Sequence, residues 1–172
     1  MSANEIWKAE TFEAPTEALT ASVEARREAR TAVMQRAHRE KLRLCAALEE
    51  IADSLPDRVD TLMCLSTANS LLPMLRNIHR YEEETIFPAY AAVTHDTGCV
   101  ERLKAEHLED ECFADELTEA LLLAGHGGTV ANPEALGFML RGFFETIRRH
   151  VAFEREHILP AIATARGLDR AS

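Results

Sequence analysis

Glycine and proline are scarce, seven and six in 172 residues, and long β-branched runs are missing. Only two tyrosines and one tryptophan occur. That composition lacks what a many-stranded protein needs, and an all-α fold is expected. No apolar run approaches the ~20 residues that cross a bilayer, so no membrane span is expected. A basic excess is also absent. The net charge of −10 argues against a nucleic-acid binder or an anionic-membrane binder, both of which want basic patches. It suits a protein that draws cations. Cys45, Cys64, Cys99 and Cys112 show no C-x-x-C spacing. The first residues carry Glu5, Lys8 and Glu10 with no apolar stretch of a leader. A cytoplasmic chain with reduced thiols is the expectation. There is no P-loop, dinucleotide fingerprint, G-x-S-x-G or H-E-x-x-H motif.

What is present is Ala, Leu and Glu in helical periodicity, in a length that suits one domain. Residues 1–14 read as an irregular lead, with Trp7 and Phe12 packing on the outside. Residues 15–168 read as the helical domain. A long helix is expected from Pro15 to Leu55, with Met34, His38, Leu42, Cys45, Leu48 and Leu55 as its apolar stripe. Ser54-Leu-Pro56-Asp breaks it. Residues 58–71 are either a short helix or a loop. A second helix carries Leu72, Leu75, His79, Glu83, Ile86 and Tyr90; Pro73 opens or kinks it, and Pro88 disturbs its last turn. A turn at 94–98 leads to a third helix with Val100, Leu103, His107, Glu111, Ala114, Leu117 and Leu121 on one face. Glycines at 125–128 end it. Asn132-Pro133-Glu134 signals the start of a fourth helix. Its face holds Leu136, Leu140, Phe143, Ile147, His150, Glu154 and Ile158, and it runs past Pro160 toward Gly167.

Three histidines have a glutamate four residues on: His79/Glu83, His107/Glu111 and His150/Glu154. Residues i and i+4 share a helix face, so each pair offers a nitrogen and a carboxylate to one point. Each stands in an otherwise apolar stripe, where an unpaired carboxylate costs several kcal/mol and needs a partner. The heights agree too. His38 lies 17 residues before Leu55 and His107 17 before Ala124, each about 26 Å of helix. His150 lies 16 residues after Glu134, about 24 Å. His79 reaches that level only if residues 58–72 also climb the bundle. Such a set suits iron, manganese or zinc, and its donor count suits two metals better than one.

The ordered set His38, His79-x-x-x-Glu83, His107, His150-x-x-x-Glu154 resembles the hemerythrin-like (HHE cation-binding) family. Ala37-His38-Arg39-Glu40-Lys41-Leu42 is similar to its first-helix signature, and Glu82-Glu83-Glu84-Thr-Ile-Phe-Pro88 to its E-E-x-x-L-F-P box. The likeness spans about residues 30–162. It implies an antiparallel up-down-up-down four-helix bundle around two iron ions, Fe2+/Fe3+, with an oxo or hydroxo bridge. By it His38, His79, His107 and His150 are terminal nitrogen ligands, and Glu83 and Glu154 bridge. Glu111 stands where oxygen carriers of the family have a second third-helix histidine. It is taken as a metal residue, with a supporting hydrogen bond or a solvated position as its alternatives. The departure points away from reversible O2 carriage. It favours sensing of, or reaction with, O2, peroxide or NO, with catalase-like or oxidase turnover as one form. Non-enzymatic iron storage, buffering or O2 binding is the second reading, and a metal-free structural bundle the third.

The remaining residues read more plainly. Glu82 and Glu84 form a solvated face, unless an internal echo shifts the register. His79…Phe-Pro88-Ala-Tyr echoes His150…Leu-Pro160-Ala-Ile, but the histidine-to-proline distances are nine and ten. The copies align by histidine or by proline, and in the second case Glu82 is the ligand. His157 is expected at the surface or behind the ligands, His95 and His126 in turns. Tyr90 is expected inside and Tyr81 pointing elsewhere.

Overall fold

The computed structural model describes residues 23–164 except 129 and 131. The lead with Trp7 and Phe12, the helix start near Pro15 and the approach to Gly167 lie outside the described residues. The described chain is helical and contains no strand. It forms an antiparallel four-helix bundle of α1 (Val23–Ser54), α2 (Thr61–Tyr81), α3 (Phe87–Thr94), α4 (Thr97–Gly125), α5 (Pro133–Phe153) and α6 (Leu159–Thr164). Two π-helical segments, Glu82–Ile86 and Glu154–Ile158, join α2 to α3 and α5 to α6. Each of those pairs therefore reads as one interrupted rod. α2 packs chiefly on α4, and α1 chiefly on α5.

Local chemistry sets the ends. Asp60 caps α2, its carboxylate accepting from the N–H groups of Leu62 (2.9 Å) and Met63 (3.0 Å), an interaction worth about 1 kcal/mol. Residues 61–71, open in the sequence, are thus the first turns of α2, and Pro73 lies inside this helix. Leu71 and Leu75 on either side are fully buried, so packing holds the helix through the proline's missing N–H. His79 then stands 18 residues beyond Thr61, about 27 Å, level with the other three histidines. Asn132 caps α5 through the Ala135 N–H at 2.9 Å. His95, at φ 57°, closes α3 in the left-handed region, and Gly127, at φ 75°, turns the chain after α4.

The core is two apolar clusters. One holds Leu44, Leu48, Leu71, Leu75, Leu117, Leu121, Leu140 and Phe143. The other holds Met34, Ile78, Ile86, Phe87, Leu103 and Ile158. On every rod the inward histidine falls where one cluster gives way to the other. Tyr90 is buried as expected; Tyr81, expected to point elsewhere, is buried as well, packed in the second cluster.

Candidate metal centre

Between the two apolar clusters lies a polar layer. His38, Lys41, His79, Glu82, His107, Asp110, His150 and Glu154 are all at most 4% exposed. Two donor groups form within it: His79, Glu82 and His107, and Glu82, His150 and Glu154. In each group, donor atoms lie within 4.8 Å of one another. Glu82 belongs to both. His38 joins the second, its Nε2 donating to Glu154 Oε2 at 3.1 Å. The His79 and His107 rings stack at 3.8 Å, 2° from parallel, and Phe87 covers His107 at 5.3 Å.

The backs of three histidines are held by carboxylates. His79 Nδ1 donates to Glu111 Oε1 at 3.0 Å, His107 Nδ1 to Glu83 Oε1 at 2.8 Å, and His150 Nδ1 to Glu106 Oε2 at 3.2 Å. The first two bonds cross. The glutamate one turn after each histidine serves the histidine of the other helix. Arg76 Nε donates to Glu111 at 3.2 Å and steadies that arm. A histidine whose Nδ1 carries the proton presents a bare Nε2 lone pair, the form that binds a cation. Nε2 of His79, His107 and His150, and Oε1 of Glu154, are buried without a hydrogen-bond partner. His107 Nε2 is 3.1 Å from Glu82 Oε2 and His150 Nε2 is 3.5 Å from Glu154 Oε1, but neither pair is aligned as a hydrogen bond. Buried polar atoms are rarely left so. Cations in the two donor groups would satisfy these four, though Asp110 Oδ2 in the same layer is partnerless too, and the nitrogen–carboxylate set fits iron, manganese or zinc.

Each of the two buried glutamates opens a π-helical segment. The Phe87 N–H bonds Glu82 O, and the Leu159 N–H bonds Glu154 O, each five residues back rather than four. Pro88 and Pro160 follow immediately. A proline has no N–H and its ring crowds the carbonyl four residues before it. Widening the preceding turn by one residue relieves both problems. Glu82, the last residue before the widening, continues the inward stripe of Leu75 and Ile78 and is 0% exposed, while Glu84 lies in solvent.

The charges are mutually set. Burial pulls the Lys41 ammonium toward neutrality, but Glu154 and Glu82 outweigh it and hold its pKa above the ordinary value. Burial raises Glu154, and Lys41, His150 and His38 outweigh it, so its carboxyl sits well below the usual carboxylate range. Burial, then Lys41 and the neighbouring histidines, hold His79 well below the ordinary histidine value, neutral and able to donate its lone pair. Burial also raises Asp110.

The structure brings His38, His79, His107, His150 and Glu154 into one layer. It places Glu83 and Glu111 at the rim, behind the histidines, and puts Glu82 in the centre. Three residues lay outside the sequence reading. Lys41 is three positions after His38 on the same face, a lysine in an apolar stripe. Asp110 is buried where Glu111 was expected. Glu106 precedes His107 and reaches α5. His157 is exposed against the Phe153 ring, and His95 and His126 are exposed in turns.

The hemerythrin HHE cation-binding domain family matches residues 30–162. The chain belongs to that family. No curated protein and no solved structure matches it. None of the described helices is long and apolar enough to cross a membrane.

Proposed function

We propose that this chain holds two iron ions in the polar layer and uses them to bind or react with O2, peroxide or NO. The observation that carries the reading is the set of partnerless inward atoms, Nε2 of His79, His107 and His150 with Oε1 of Glu154, grouped around Glu82. His79 and His107 would hold one ion, and His150 and Glu154 the other, with His38 joining them once its Nε2 gives up the proton it shares with Glu154. Glu82, common to both groups, would bridge. Glu83, Glu111 and Glu106 would then fix the histidines rather than ligate. Iron is favoured over manganese or zinc by the family, since the donors accept any of the three.

Bound iron would supply the electrons that a small oxidant takes up. The chain's own part is geometry and exclusion. The Nδ1 bonds orient three imidazoles. Ile78, Ile86, Phe87 and Leu103 close one side of the layer, and Leu44, Leu75 and Ala114 the other. Water then competes poorly at the metals. Four free thiols, two of them buried, accord with a cytoplasmic setting.

The test is elemental analysis of protein purified without added metal, followed by peroxide addition in a stopped-flow cell. About two irons per chain are expected, with near-ultraviolet absorption lost in His79→Ala. Steady O2 release marks turnover; one stoichiometric bleaching marks storage or sensing. Protein that retains no metal, and whose stability His79→Ala leaves unchanged, would return the reading to a structural bundle.

A further inference from the structure

Lys41 is the most unusual residue of the layer. It is 0% exposed. Its Nζ donates to Glu82 Oε1 at 2.8 Å and Oε2 at 3.1 Å, and to Glu154 Oε2 at 3.4 Å. All these acceptors belong to candidate ligand residues, and Glu82 is the residue both donor groups share. A lysine is almost never fully buried unless paired. Two buried carboxylates in one layer also repel each other, and an unpaired one destabilises a core by several kcal/mol. One ammonium settles both problems.

The geometry points to Lys41 as a resident counter-cation of the metal centre. It holds Glu82 and Glu154 together in metal-free protein. Metal ions must draw those oxygens away from it and then share the layer with its charge. This inference rests on the metal-centre reading above. It has two consequences of opposite sign. The metal-free bundle is more stable than two buried carboxylates alone allow. Divalent ions bind more weakly than the donor set alone would dictate, because a positive charge a few ångströms away in a poorly screened interior opposes them. A lysine that merely fills space does neither, and its removal would weaken metal-free and metal-loaded protein alike.

The experiment uses the full chain, stripped with chelator, with manganese(II) as the probe. Lys41→Met is expected to lower the manganese dissociation constant by about tenfold or more. It is expected to lower the melting temperature of the metal-free protein far more than that of the manganese-loaded protein. Lys41→Arg, which keeps the charge, is expected to bind no more tightly than wild type. If Lys41→Met folds only with manganese present, the inference holds. If it binds manganese equally or less tightly than wild type, or fails to fold even with manganese, the inference is overturned. Uptake of manganese and iron by wild type tests the underlying reading separately. If neither wild type nor Lys41→Met takes up metal, the metal centre itself falls, and this inference with it.

Discussion

The α2–α3 rod and the α5–α6 rod carry the same device with different counts. On the first, the buried glutamate follows its histidine by three residues, His79 to Glu82; on the second by four, His150 to Glu154. Measured from the proline, the two agree, for both glutamates stand six residues before it. Both begin a π-helical segment whose first carbonyl accepts from five residues on. The proline, which dictates where the turn must widen, is therefore the fixed point of the device. The histidine is free to slide by one position because a helix face tolerates either i+3 or i+4. The rods also differ in how their glutamates are engaged. Glu82 gives both oxygens to Lys41. Glu154 shares one oxygen between His38 and Lys41 and keeps the other unpartnered.

The sharpest way to break the comparison is to remove each carboxylate in turn. Glu82 belongs to both donor groups and Glu154 to one. On the two-ion reading, Glu82→Gln is expected to lose nearly all bound iron, and Glu154→Gln roughly half. Elemental analysis per folded chain reads the difference. Equal losses would mean that Glu82 does not bridge.

A smaller effect is expected behind the histidines. His107 is backed by Glu83 from the first rod, while His150 is backed by Glu106 from α4. Removing such a partner typically costs about 10- to 100-fold in metal affinity. Glu83→Gln and Glu106→Gln are both expected in that range by competitive chelator titration, and His95→Ala, in an exposed turn, at no change. A Glu83→Gln variant that lost iron as completely as Glu82→Gln would make Glu83 the ligand after all.

These distinctions mark where the sequence was legible. The four rods follow from apolar periodicity and from caps such as Asn132-Pro133, and the common height of the histidines from counting residues between breaks. Choosing Glu83 over Glu82 took the i+4 member of a face that tolerates i+3 as well. The offset of the echo was the visible trace of that one-position difference between the two rods. Lys41 was hidden for another reason. A lysine in a helix is normally solvated, and only the two carboxylates brought by distant rods make its burial tolerable. Glu111 and Asp110 are adjacent on α4; Asp110 is buried, and Glu111 is held at the rim by His79 and Arg76, partners that only the fold supplies.

The smallest predicted effect bears most directly on whether the proline is the fixed point. Pro88 and Pro160 are both exposed, so truncating either to alanine removes no core contact. Alanine restores an N–H that can bond the carbonyl four residues back. One recovered hydrogen bond favours the unwidened turn by about 1 kcal/mol, which corresponds to roughly a fivefold change in an equilibrium. Ile86, Phe87 and Ile158, all fully buried, resist the shift, so the fold should survive. Pro88→Ala is expected to weaken metal binding by up to that factor through Glu82, and Pro160→Ala to weaken it similarly through Glu154. If the histidine rather than the proline set the register, both variants would bind as wild type, and amide exchange of Phe87 and Leu159 would be unaltered.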